Sequence, residues 1–72
     1  ASINPNPTEG YIKIVLENQN KIEKIDVYSV SGRVVYNAFN RSELDISGLS
    51  SGLYILKAKT AEGQITRKII KQ

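Results

Sequence analysis

Along most of the chain, apolar and polar residues alternate with the two-residue period of half-buried β-strands. In residues 11–17, for example, Ile12, Ile14 and Leu16 fall on one face, and Lys13 lies on the other. Turn-forming residues recur about every eight to twelve positions, which is typical of a β-sandwich, and helical spacing is absent. Strands are predicted over 11–17, 22–30, 33–36, 43–46, 53–60 and 64–70, with a possible edge strand at 2–4.

Small and polar residues predict how these strands are joined. Ser31-Gly32 separates two β-branched runs, which predicts a two-residue type I′ turn across which Val30 and Val34 approach each other. Small residues in 47–52 surround Leu49, which we expect to close one end of the core while the chain reverses. A polar loop and a second hairpin turn are predicted at 37–42 and 61–63.

Composition excludes several function classes. The chain has 72 residues, enough for one small domain, and it contains neither Cys nor His. Disulfides, thiolate nucleophiles, imidazole metal ligands and Ser-His-Asp catalysis are therefore absent. Asp26 and Asp45 are the candidate ligands of a weak calcium site, but solvation or turn hydrogen bonding is the simpler role for both. We expect no enzymatic activity, no cofactor and no metal.

Positive charge concentrates in the C-terminal third of the chain, although the net charge is only +3. Two interpretations stay open: lysines that keep a sheet edge soluble, or a basic surface that meets an acidic partner or an anionic surface. Nucleic-acid binding is not favoured, because Tyr54 is the only aromatic residue in this segment and is predicted to face inward. The basic residues after Gly52 are Lys57, Lys59, Arg67, Lys68 and Lys71.

Processing signals are not evident in the sequence. It has no apolar run long enough to cross a bilayer and no signal-peptide core, and it begins with Ala1-Ser2 rather than Met. We therefore expect a single domain, residues 1–72, cut by protease or by cloning from a longer precursor.

Four short motifs follow one another in order along the chain. They are Asn4-Pro5-Asn6-Pro7-Thr8-Glu9-Gly10, Tyr28-Ser29-Val30-Ser31-Gly32-Arg33, Leu44-Asp45-Ile46-Ser47-Gly48-Leu49-Ser50-Ser51-Gly52-Leu53-Tyr54 and Lys68-Ile69-Ile70-Lys71. In this order they resemble the C-terminal sorting domain of proteins exported by the type IX secretion system of Bacteroidota. The resemblance runs from about Asn4 to Lys71.

The resemblance implies a small immunoglobulin-like antiparallel β-sandwich of six or seven strands, placed at the C-terminus of a secreted cargo. It also implies an export address that a surface sortase removes after the outer membrane is crossed, leaving the cargo attached to the cell surface or released. Ser29 departs from the family, where Asp or Asn is usual. The positions that match the sorting motifs are Pro5, Asn6, Pro7, Gly10, Tyr28, Gly32, Arg33, Leu49, Gly52, Tyr54, Lys68 and Lys71.

The implied partners are components of the translocon or shuttle, the sortase, and the cargo that precedes the domain. We expect the last strand, with Lys68 and Lys71, to offer an unpaired edge and a basic patch that such a partner reads. The same edge could pair with a second copy, giving a homodimer. The alternative function is a passive accessory module of an extracellular enzyme, either carbohydrate-binding or a spacer.

Overall fold

A computed structural model describes residues 2–4, 9–16 and 21–72, the first range by its backbone only. The described residues form antiparallel strands and no helix, and none could therefore cross a bilayer as a helix. The bounds are β1 Ser2–Asn4, β2 Tyr11–Val15, β3 Ile22–Ser29, β4 Val34–Phe39, β5 Glu43–Asp45, β6 Gly52–Thr60 and β7 Gly63–Lys71.

The strands form two antiparallel sheets. One has the order β1-β2-β5 and the other the order β4-β3-β6-β7. This division corresponds to strands A-B-E and C′-C-F-G of an immunoglobulin-like sandwich. The predicted all-β sandwich is confirmed, and β1 lies at an edge of its sheet as expected.

The core lies between the two sheets and is built from the inward positions of the alternating strands. Ile12 and Ile14 come from the three-stranded sheet, and Ile25 and Val27 come from the other, as the alternation predicted. Burying side chains of this size stabilises a fold by about 1.5–3 kcal/mol each. The remaining buried apolar residues are Ile22, Leu44, Ile46, Tyr54, Leu56, Ala58 and Ile69.

The hairpin between β3 and β4 differs from its prediction. The Gly32 N–H donates to the Ser29 carbonyl at 2.9 Å, and the Ser29 N–H donates to the Arg33 carbonyl at 2.8 Å. The loop therefore has three residues, 30–32, and ends in Gly32 at φ 86°. The predicted two-residue type I′ turn is wrong, because that turn needs positive φ at both central residues and Ser31 does not have it.

The longer loop changes the pairing beside it. Val34 pairs with Tyr28, whereas Val30 lies in the turn and is 75% exposed. The predicted approach of Val30 and Val34 is therefore wrong. A bulge follows, since Val27 pairs with Tyr36 and leaves Val35 as the additional residue on β4.

Strand β4 is longer than predicted. Residues 37–39 belong to it, with Ala38 opposite Ile25 and Phe39 opposite Lys24. The predicted loop over 37–42 is therefore wrong for its first half. Pairing with β3 and the half-burial of Ala38 outweigh the low strand propensity of Asn and Ala.

The hairpin between β6 and β7 is confirmed. Thr60 pairs with Gly63, which leaves a two-residue connection at 61–62. The Thr60 hydroxyl accepts the Glu62 N–H at 3.2 Å and donates to the Gly63 carbonyl at 3.0 Å, so one buried side chain fixes the turn.

Candidate functional site

The motif residues that the structure describes meet at one end of the sandwich. Ser29, at the end of β3, pairs with Tyr54 near the start of β6, and Gly52 pairs with Lys71 at the end of β7. Because these strands are antiparallel, the hairpin, central and closing motifs share the same end of the sheet. We call this end the motif pole. Pro5, Asn6 and Pro7 lie outside the described residues.

Gly10, the last residue of the opening motif, lies at this pole and contacts the loop before β6. Its carbonyl accepts the Ile46 N–H at 2.7 Å, immediately before the loop that leads into β6. Gly10 is buried at φ 147°, and a Cβ there would lie 2.6 Å from the Ser47 Cα. Only glycine permits so close an approach of the two chain segments. The role that the structure gives Gly10 is structural.

The central motif closes the core. Leu49 packs against the core cluster, as predicted, and its N–H donates to the Ile46 carbonyl at 2.9 Å. Tyr54 is 8% exposed, and its hydroxyl donates to the Ser50 carbonyl at 2.7 Å. A tyrosine near the start of the sixth strand that bonds back to the preceding corner is the tyrosine corner of immunoglobulin-like sandwiches. Gly52 begins β6 at φ 150°.

Asp45 fixes the start of the same loop, in the turn hydrogen-bonding role expected for it, although it is not among the positions matched to the sorting motifs. Its Oδ1 accepts the Ser47 N–H at 2.9 Å, and hydrogen bonds from the Ser47 backbone and hydroxyl lower the pKa of Asp45 below its ordinary value. The pattern Asp-x-Ser at the end of a strand predicts this turn. Asp26, the other acid weighed as a calcium ligand, lies 3.5 Å from the Lys24 ammonium.

The hairpin motif presents side chains rather than filling the core. Tyr28 is half-buried on the outward face of the four-stranded sheet, with the Lys57 ammonium 5.1 Å from the centre of its ring. Arg33 is exposed just beyond Gly32. Arg33 is thus placed where it can meet a partner carboxylate.

The two lysines of the closing motif do not form one patch. They are three residues apart on β7, so their side chains point to opposite faces of the sheet. Lys68 is exposed, whereas Lys71 is 8% exposed and donates from Nζ to the Gln72 carbonyl at 2.9 Å. The predicted basic patch of Lys68 and Lys71 is therefore wrong.

β7 is the last strand in the order of its sheet, so its place at a sheet edge is confirmed. Lys68 and Ile70 each make a further interaction within the chain. Recognition of this edge by a partner stays a prediction.

The exposed aromatic side chains do not form a sugar-binding platform. Tyr11 is 53% exposed on the three-stranded sheet, and Phe39 is 62% exposed on the other sheet. Tyr36 packs against the core instead. In the described residues these rings do not share a face, so the carbohydrate-binding alternative gains no support.

A cleft of about 620 Å³ lies at the other end of the molecule from the motif pole. Its lining includes the basic residues Lys13, Lys21 and Arg41 and apolar residues such as Leu16. Its described lining contains none of the sorting-motif positions. Within the described residues no cluster of acidic side chains could hold a metal ion.

These features define a small immunoglobulin-like sandwich whose sequence motifs shape one end of the fold. The family model for the secretion system C-terminal sorting domain matches residues 2–72, so the chain belongs to that family. The resemblance to the type IX sorting domain is thereby confirmed, and this family is not a family of enzymes. No curated protein matches the chain.

Proposed function

We propose that the chain is a C-terminal sorting signal for type IX secretion, carried by a larger cargo precursor and read by the secretion machinery; membership of the family supports this. The domain directs its cargo across the outer membrane and is then removed by a cell-surface sortase. The cargo is left attached to the surface or released.

The observation that carries this proposal is the convergence of the described motifs at one pole. Gly10, Leu49 and Tyr54 hold the pole rigid, while Arg33 and Lys68 stay exposed there. A rigid frame that presents cations suits recognition by a partner, because little ordering is left to do on binding. The motif pole is therefore the surface that we assign to the machinery.

The pairing of β1 bears on where the domain is removed. A protease needs an extended and accessible segment, and β1 pairs with β2 within the folded sandwich. We therefore place the processed bond upstream of β1.

A secretion assay tests the export function. The domain is fused to the C-terminus of a periplasm-directed fluorescent protein, in a host with type IX secretion and in its translocon-deficient mutant. We expect surface or medium fluorescence only in the first strain. Equal periplasmic retention in both strains would refute the proposed function.

A matched pair of substitutions tests the motif pole in the same assay. Arg33 and Arg41 are both exposed, at opposite ends of the molecule. We expect Arg33→Glu to reduce export and Arg41→Glu to leave it unchanged. Equal export of the two variants would remove the motif pole from the proposal, and the mass of the exported cargo would show whether the domain has been cleaved.

A further inference from the structure

An apolar patch lies on the outward face of the four-stranded sheet, next to the motif pole. Val34 pairs with Tyr28, and Tyr28 pairs with Ile55 on the neighbouring strand. One step closer to the pole, Leu53 pairs with Ile70. These five side chains are the outer patch. Paired residues share a face, and neighbouring strands are about 4.8 Å apart, so the outer patch is continuous across the sheet.

The outer patch departs from the pattern of its own sheet. An outward sheet face normally carries polar residues, yet Val34, Leu53 and Ile70 are 46%, 42% and 51% exposed. The same face returns to polar residues beyond the patch, at Asp26 and Lys57. A contiguous apolar patch rimmed by polar groups marks an interaction surface.

The charges around the outer patch have one dominant sign. Among the residues in register across β3, β6 and β7, the charged side chains on the outward face are Lys24, Asp26, Lys57, Lys59 and Lys68, that is, four lysines and one aspartate. The exposed Glu23 lies at the bulge between Ile22 and Lys24, at the far end of β3 from the patch. The aspartate lies 3.5 Å from Lys24. The rim of the patch is therefore cationic and complements carboxylates.

We propose that the outer patch is a docking surface for a protein partner that presents an apolar centre bordered by carboxylates, and that this partner is met during export. The proposal rests on the function proposed above and names the chemistry of the partner.

The charge of this face argues against a second copy as the occupant. Two copies joined face to face would bring their lysines together, and juxtaposed like charges across an interface cost several kcal/mol. The side chains argue against a membrane, because roughly half of each exposed apolar residue is covered by its neighbours. A flat surface of this kind suits the core of a protein interface, whereas lipid binding uses apolar groups that project into the bilayer.

Photocrosslinking in cells tests the surface directly. p-Benzoylphenylalanine replaces Leu53 in the fluorescent cargo fusion, and in a matched fusion it replaces Gln64, which is exposed on the same outward face at the far end of β7. We expect a protein adduct at position 53 and little at position 64. Mass spectrometry of the adduct should place the crosslink beside apolar residues flanked by Asp or Glu.

Charge reversal tests the rim of the patch. We expect Lys57→Glu with Lys68→Glu to lower the adduct yield about tenfold, whereas Lys13→Glu, an exposed lysine of the other sheet, leaves it unchanged. Equal yields at positions 53 and 64 would overturn the proposal, as would an adduct with a second copy of the fusion. Binding of the purified domain to phosphatidylglycerol vesicles that is lost in Leu53→Ser would also overturn it, in favour of a membrane.

Export is measured in the same strains as crosslinking. The experiment can therefore refute the outer patch as a docking surface without refuting the sorting function. Export of the fusion together with equal yields at the two positions would leave the sorting function standing and remove the outer patch. A position-53 adduct from a fusion that is not exported would leave the outer patch as a docking surface, but would overturn the claim that its partner is met during export.

Discussion

Replacing Gly10 with alanine should be among the most damaging small substitutions in the described part of this chain. The added Cβ would lie 2.6 Å from the Ser47 Cα, 2.7 Å from its Cβ and 2.8 Å from its nitrogen. Two of these atoms are backbone, so the clash is not relieved by rotating a flexible side chain. The backbone at φ 147° adds strain for any residue with a Cβ.

The expected loss of stability follows from these two terms. Backbone strain of this kind costs about 1–3 kcal/mol, and overpacking costs about 1–3 kcal/mol more. Their sum, about 2–6 kcal/mol, compares with a total of roughly 4–11 kcal/mol for a domain of this length. Gly10→Ala should therefore leave a large unfolded fraction or a strongly reduced urea midpoint.

Two further glycines supply the controls. Gly32 has φ 86° but open space around it, so Gly32→Ala should cost only the backbone strain of about 1–2 kcal/mol. Gly48 has open space and no positive φ, so Gly48→Ala should stay within about 0.5 kcal/mol of the wild type. Urea unfolding followed by circular dichroism measures all three. If Gly10→Ala and Gly48→Ala have the same urea midpoint, the close packing of Gly10 against Ser47 is refuted.

Three further predictions concern side chains of the motif pole. Tyr54→Phe should lower the free energy of unfolding by about 1 kcal/mol in urea titrations, whereas Tyr36→Phe should not, since only the Tyr54 hydroxyl closes the corner. The folded-state pKa of Asp45 lies below its ordinary value of 3.8. The ionised carboxylate therefore stabilises the fold above pH 3.8, and this stabilisation is lost as the pH falls through the folded-state pKa. Acid titrations of Asp45→Asn should therefore show a smaller loss of stability over that range, and an unchanged loss would contradict the assignment. Lys71→Glu should lower the melting temperature and Lys68→Glu should not, because only Lys71 is buried; equal melting temperatures would contradict the assignment of faces.

The alternation of apolar and polar residues along the strands made the fold predictable. Ile12, Ile25, Val27 and Leu56 were each assigned to the inward face from their position in the pattern, and each is fully buried. The period-two signal is strong wherever one face of a strand is buried, because a one-residue slip would expose every core side chain of that strand.

Turn geometry and strand ends were less predictable, because tertiary contacts decide them. Whether Ser31-Gly32 forms a two-residue or a three-residue loop depends on which residue takes positive φ, and both loops accept this sequence. Residues 37–39 have a loop-like composition, and only pairing with β3 makes them a strand.

The sequence predicted which residues match the sorting motifs, but it did not predict what each of them does in the fold. The separation of Lys68 and Lys71 by three residues already places them on opposite faces of any strand, but the motif comparison treats them as one patch. Asp45 shows the converse, since its turn hydrogen bond is predicted from the sequence although it is not among the positions matched to the sorting motifs.

Buried residues of the motif pole support the fold, whereas exposed residues there are available to a partner. This difference allows recognition of the domain to be tested separately from its stability. Gly10 and Tyr54 are buried, and substitutions there act on export through the fold, because they release the loop before β6. Arg33 is exposed, so we expect its substitution to leave the fold intact and to act on a partner. An export defect from Gly10→Ala therefore does not identify a contact, whereas an export defect from Arg33→Glu with an unchanged urea midpoint does. Comparing stability with export for each motif residue separates the frame of the signal from the surface that is read.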